Sequence, residues 1–166
     1  MEPALSQDYD LETNAVRLIY SEIRENVDEN DTVMVSLPEG SSEGGQAIAY
    51  FIEGEIRLIK VKRFGEMGRV HQEFYFKDDR SIFVLDEAYS YNRPIYWDEA
   101  KAKENNDTEF YDPNKTTIAE NRYYFEDELL FLWLDPEHEA VDLLHEKNAE
   151  AGLDLINEIK RIRSKF

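Results

Sequence analysis

From Leu11 the apolar residues recur at three- and four-residue steps: Leu11, Ala15, Leu18, Ile19, Ile23 and Val27. This spacing predicts an amphipathic helix. Asp10 is its expected N-cap, and VDENDT (residues 27 to 32) its stop. Thr32 to Leu37 reads as a short strand ended by Pro38, and PEGSSEGG (38 to 45) as a loop. The period then changes to two. QAIAYFIEGEIRLIKVKRFG, residues 46 to 65, alternates apolar and polar around Glu53-Gly54, a good two-residue turn. That turn sets Phe51 opposite Ile56 and Ala49 opposite Leu58 on one face, with Tyr50, Arg57 and Ile59 on the other.

The chain also resembles itself. HQEFYFKDDRSIFVLD (71 to 86) aligns without a gap on ENRYYFEDELLFLWLD (120 to 135), so that Tyr75 meets Tyr124, Phe76 meets Phe125 and Asp78 meets Asp127. In the second copy Phe125 is followed five residues later by Leu130, as Phe51 is by Ile56, which places a turn at Asp127-Glu128. In the first copy Ser81 takes that place, so KDDRS is expected to make a slightly longer turn. WDEAKAKENN lacks the pattern, which argues against a solenoid of steady period. The expectation is a meander of hairpins with an insertion over residues 92 to 117, whose charged stretch forms either a short helix or a loop.

At the end of the chain, Asp135-Pro136 reads as an N-cap followed by Pro at the first helical position. Val141, Leu144, Asn148, Ala151, Leu155, Ile159, Ile162 and Phe166 follow at helical steps, with Gly152 as an expected kink. Residues 1 to 10 are polar and expected to be loose. The whole is one domain, 1 to 166, of α+β class. It is an antiparallel β-meander of repeated hairpins packed against an N-terminal helix and a long C-terminal helix.

Composition narrows the function classes. The net charge is −18, from 37 acidic and 19 basic residues, which disfavours binding to phosphate backbones. Solubility alone accounts for such a balance; a cationic protein or a divalent cation is the more natural partner for a binding role. Without cysteine the chain has no disulfide, thiolate metal site or Cys nucleophile. No apolar run approaches membrane-spanning length, and Met1-Glu2-Pro3 lacks the start of a signal peptide.

Catalytic motifs are missing. His138 and His145 stand seven apart, about 10 Å along a helix, too far for one metal ion. His71 has no carboxylate partner fixed by sequence. Asp86 and Asp135 are equivalent in the two copies, yet each is expected to end a strand rather than form a hydrolytic pair. There is no G-x-S-x-G and no phosphate-binding loop, and GSSEGG lacks a P-loop lysine. Glycosylation sequons begin at Asn30, Asn106 and Asn114, and matter only in a eukaryotic secretory setting. No cofactor or metal is expected, and an enzyme is the less favoured class. The best candidate binding stretch is EAYSYNRPIYWDE (87 to 99), with Tyr89, Tyr91, Asn92, Arg93, Tyr96 and Trp97. The competing use of these aromatics is packing beneath the insertion.

The strings YNRPIYWDE and ENRYYFEDELLFLWLD, with the C-terminal helix behind them, resemble uncharacterised secreted proteins or lipoproteins of bacteria, especially Bacteroidetes. The resemblance covers roughly residues 46 to 135. Glu128 and Leu129 depart from it, standing where a Gly and a Lys would suit the turn. It implies a place in the cell envelope or outside the cell, and carries over no catalytic residue. The expected function is therefore a non-enzymatic envelope or secreted domain that binds a protein or glycan. The alternative is an acidic inhibitor or immunity-type protein that neutralises a basic enzyme, with a cytoplasmic location as the alternative address.

Overall fold

The computed structural model describes residues 9–166. Seven strands form one antiparallel sheet in chain order: β1 (Thr32–Leu37), β2 (Gly45–Ile52), β3 (Glu55–Gly65), β4 (Gly68–Lys77), β5 (Arg80–Ser90), β6 (Thr117–Glu126) and β7 (Leu129–Leu134). Helix α1 (Asp10–Asn26) lies on one face and α3 (Glu146–Arg163) on the other; the short α2 (Glu99–Glu104) belongs to the segment between β5 and β6. The N-terminal loose segment expected over residues 1 to 10 falls almost wholly outside the described residues.

Three hairpins share one construction. Their two-residue turns, Glu53-Gly54, Asp78-Asp79 and Asp127-Glu128, have positive φ at both positions, the type I′ geometry that matches strand twist. KDDRS is thus a two-residue turn rather than a longer one. Three residues past each turn the ladder slips by one: Tyr50 pairs Leu58 while Phe51 pairs Ile56, Tyr75 pairs Phe83 while Phe76 pairs Ser81, and Tyr124 pairs Leu132 while Phe125 pairs Leu130. Arg57, Ile82 and Phe131 are the extra residues of these bulges. The slip corrects the expected register of the first hairpin. Ala49 pairs Ile59, not Leu58, and Ile59 joins the face of Ala49.

Strand alternation divides the aromatic pairs between two cores. Tyr50, Tyr75 and Tyr124 turn toward α1, where Val16 and Ile23 meet Leu58, Phe83 and Leu132. Phe76 and Phe125 turn toward α3, where Ile156, Ile159 and Ile162 meet Ile59, Val61, Phe74 and Val84. On α1 the buried stripe differs in part from the expected one: Ile23 is buried as expected, but Leu11 and Leu18 are 81% and 74% exposed and Val16 is buried in their place. Tyr20 decides the rotation by packing its ring on Tyr75 and Phe83, at 4.8 and 5.9 Å. Asp10 is the first helical residue and not the cap, since Tyr9 occupies that position.

The C-terminal helix starts ten residues later than its sequence signals place it, its cap moving from Asp135 to His145. Asp135 does accept backbone N–H bonds, from Glu137 and Glu139 at 2.9 Å, but it closes a turn. The chain then returns along β7, with Val141 N–H bonded to the Trp133 carbonyl, and His145 caps α3. His138 and His145 therefore share no helix face, and Leu144 is 97% exposed. Gly152 does not divide α3. It lies against Leu130, whose Cδ2 would be 2.8 Å from a Cβ there, so the missing side chain lets helix and sheet approach.

Candidate functional site

Neither Asp86 nor its neighbours end a strand. Asp86 sits in the middle of β5, and the period of two puts it on the α3 face with Val84. The same alternation puts Gln72 in line with Phe74, Asn121 in line with Tyr123, and Arg63 in line with Val61. Register makes Gln72, Asp86 and Asn121 direct cross-strand neighbours. A polar row therefore crosses the sheet immediately beyond the apolar rows that α3 covers.

Hydrogen bonds tie the row down at both ends. The Gln72 amide donates to Asp86 Oδ2 at 3.1 Å, and Arg63 donates to Gln72 Oε1 at 3.2 Å and to Glu158 of α3 at 2.5 Å. Arg161 binds Glu158 through two nitrogens, both at 2.9 Å, and reaches Glu39 of the β1–β2 loop at 2.8 Å. At the other end Trp133 donates to Asn121 at 2.9 Å. The Arg63 side chain is 13% exposed, and its Nε–H has no partner among the described residues. Salt bridges to Arg161 and Arg63 hold the Glu158 carboxyl below its ordinary range. Burial pushes the Asp86 carboxyl up, with Gln72 and Arg63 drawing it partly back. Burial and the nearby Asp86 push the Tyr123 phenol up to about 12.

Because the Asp86 carboxyl is raised in the fold, the native state holds more protons than the unfolded chain between the ordinary Asp value and the raised one. Stability from this group is present below that window and lost as pH rises through it. Asp86→Asn should accordingly stabilise the protein at pH 7, and the gain should vanish in acid. Urea midpoints across pH 3 to 7 read this out; a gain that persists unchanged at pH 3 refutes it.

Beyond the polar row the α3 face is open. A trough of about 930 Å³ runs between α3 and the β1–β2 loop, floored by Val70, Ala88 and Ser90 and walled by Arg63, Glu158 and Arg161. Val70 and Ala88 are cross-strand neighbours, and Ala119 of β6 pairs with Ala88 on its other side.

The residues singled out in the 87 to 99 stretch do not converge on one site. Tyr89 borders the trough and lies beneath the Arg69 guanidinium at 4.0 Å. Tyr91 is buried, takes a hydrogen bond from Arg69 at 3.2 Å and meets Tyr111 edge-on. Asn92, Arg93 and Trp97 spend their polar groups inside the insertion. Arg93 and Trp97 both bind Asp107, whose carboxyl Arg93 holds well below its usual range, while Asn92 bridges Phe110 and Asp112. Tyr96 is exposed, with Lys101 Nζ 4.7 Å from its ring.

Of the polar groups beside the trough, Asp86 was weighed from the sequence only as a strand end, and Arg63, Gln72 and Asn121 were not singled out. Their signal was present, however: each is a polar residue at a position that alternation assigns to the core face. No family model matches this chain, and comparison with curated proteins and with solved structures returned no match. Among the described residues no helix is long and apolar enough to cross a membrane, and no group of three His, Asp or Glu side chains converges as around a metal ion.

Proposed function

We propose that the chain is a non-enzymatic binding domain of the bacterial envelope or exterior, and that the trough holds its ligand, a protein or glycan segment. The observation that carries the reading is the open trough on the α3 face. A floor of small side chains lies beside a fixed row of guanidinium, amide and carboxylate groups, the mixture that orients a polar ligand in a concave site. The neighbours of Asp86 in its row are the amides of Gln72 and Asn121, which position a ligand but do not exchange protons with it. The envelope address rests on the resemblance of YNRPIYWDE and ENRYYFEDELLFLWLD. The shared turn and bulge of the three hairpins support their being copies of one unit, used to widen the sheet until one face exceeds what a single helix covers.

Ala88→Trp tests the reading by filling the trough floor without touching either core. Wild type and variant are applied to the same oligosaccharide and peptide arrays. The expected result is a set of ligands held by the wild type and weakened at least tenfold in the variant, at an unchanged thermal midpoint. Ligands held equally by both would place binding elsewhere.

A further inference from the structure

The two edges of the sheet are treated differently. At β7 the chain folds back on itself: Leu134 bridges Ala140, and backbone bonds join Asp135 to Glu139 and Val141 to Trp133. Tyr9, where the described chain begins, stacks on Phe131 at the same edge. At β1 nothing among the described residues pairs with the outer side. The strand TVMVSL has no charge, proline, glycine or bulge, and it pairs with β2 in unbroken register over six positions. Edge strands usually carry one of those features, because a regular apolar edge is a template for another strand.

We propose that the β1 edge is an interaction surface that takes an added strand from a partner, an extended segment with a β-branched centre and a cationic end. Asp31 O accepts from Phe51 N–H at 3.0 Å, so the alternation of an antiparallel ladder turns the N–H and C=O groups of Thr32, Met34 and Ser36 outward. Val33 and Met34 are 46% and 64% exposed on opposite faces of the strand, ready to be flanked by side chains of an adjoining one. Charge selects the occupant. Asp28, Glu29 and Asp31 stand exposed at the start of β1, and none is in an ion pair among the described residues. At its far end Glu39 is already matched by Arg161 and Lys165. A second copy of this chain would bring a further −18 to the contact, whereas a segment with lysine or arginine beside Thr32 brings the complement. The inference is independent of the trough, which lies on a sheet face.

The probe is a labelled eight-residue peptide, six alternating Thr and Val followed by two Lys, titrated by fluorescence anisotropy. Two control peptides replace the lysines with Glu or methylate alternate backbone nitrogens. Met34→Pro is the matching protein variant. The Met34 N–H faces outward, so proline there blocks an added strand while sparing the ladder to β2. Saturable binding is expected to the lysine peptide, at least tenfold weaker to each control and to Met34→Pro. If that variant does not fold, the N-methylated peptide on the unaltered protein decides alone. No saturable binding, or equal binding of the N-methylated peptide, overturns the proposal. So does a dimer in sedimentation that Met34→Pro dissolves, which would assign the edge to a second copy.

Discussion

Phe74→Ala is expected to lower stability by about 3–5 kcal/mol, the range for emptying a fully packed aromatic site. Phe74 lies on β4, the middle strand of seven, and is completely buried. Ile59 and Val84 flank it in register on either side, and it belongs to the core that α3 covers with Ile156, Ile159 and Ile162. A sheet held by ladders on both sides cannot close over the vacated volume, so the cavity term is added in full to the transfer term. A domain of this size has a total stability on the order of 5–15 kcal/mol, so the loss is a large fraction of it. Urea unfolding measures it, with Leu144→Ala as a control that should change stability by no more than about 0.5 kcal/mol. A Phe74→Ala cost below about 1.5 kcal/mol, the level of a tolerated volume-conserving swap, would contradict the described packing.

Gly68→Ala is expected to cost about 1–3 kcal/mol, as overpacking does when the obstacle cannot move aside. A Cβ at position 68 would run into the backbone carbonyl of Tyr89 on the paired strand. Side chains swing away from such contacts; a laddered carbonyl does not. The strain falls where β4 and β5 meet the insertion, which is moored by Tyr91 N–H to Met67 O at 2.8 Å and Ile95 N–H to Glu66 O at 3.2 Å. Amide exchange should therefore quicken at Tyr91 and Ile95 and stay slow at Phe74 and Tyr75. Unchanged exchange at the moorings, with unchanged stability, would show the strands to be further apart than described.

Legibility in the sequence follows the range of the interaction. Strand periodicity, the Glu53-Gly54 turn and the equivalence of Asp78 with Asp127 were readable because turn chemistry acts over four residues. The bulges were not. A one-residue slip reverses which face a side chain meets, and nothing local marks Arg57 as the unpaired residue. The helix signal at Asp135-Pro136 was real chemistry read one step too far: Asp135 caps backbone N–H groups, but β7 then captures the following residues. In the candidate stretch the sequence showed aromatics beside Asn and Arg. It did not show that Asp107, ten residues beyond Trp97, would claim Arg93 and Trp97 together.

The order of the elements, the two-sided apolar alternation, the acidic turns and the charge of −18 are properties of the chain alone, set by propensity, period and composition. Which face each aromatic joins, where α3 begins, and how much sheet the helices leave bare are decided only in the folded molecule. Those choices depend on pairing between residues far apart in sequence. The trough and the open edge of β1 are of this second kind: each is surface that remains after two helices and six strand pairings have taken what they can cover.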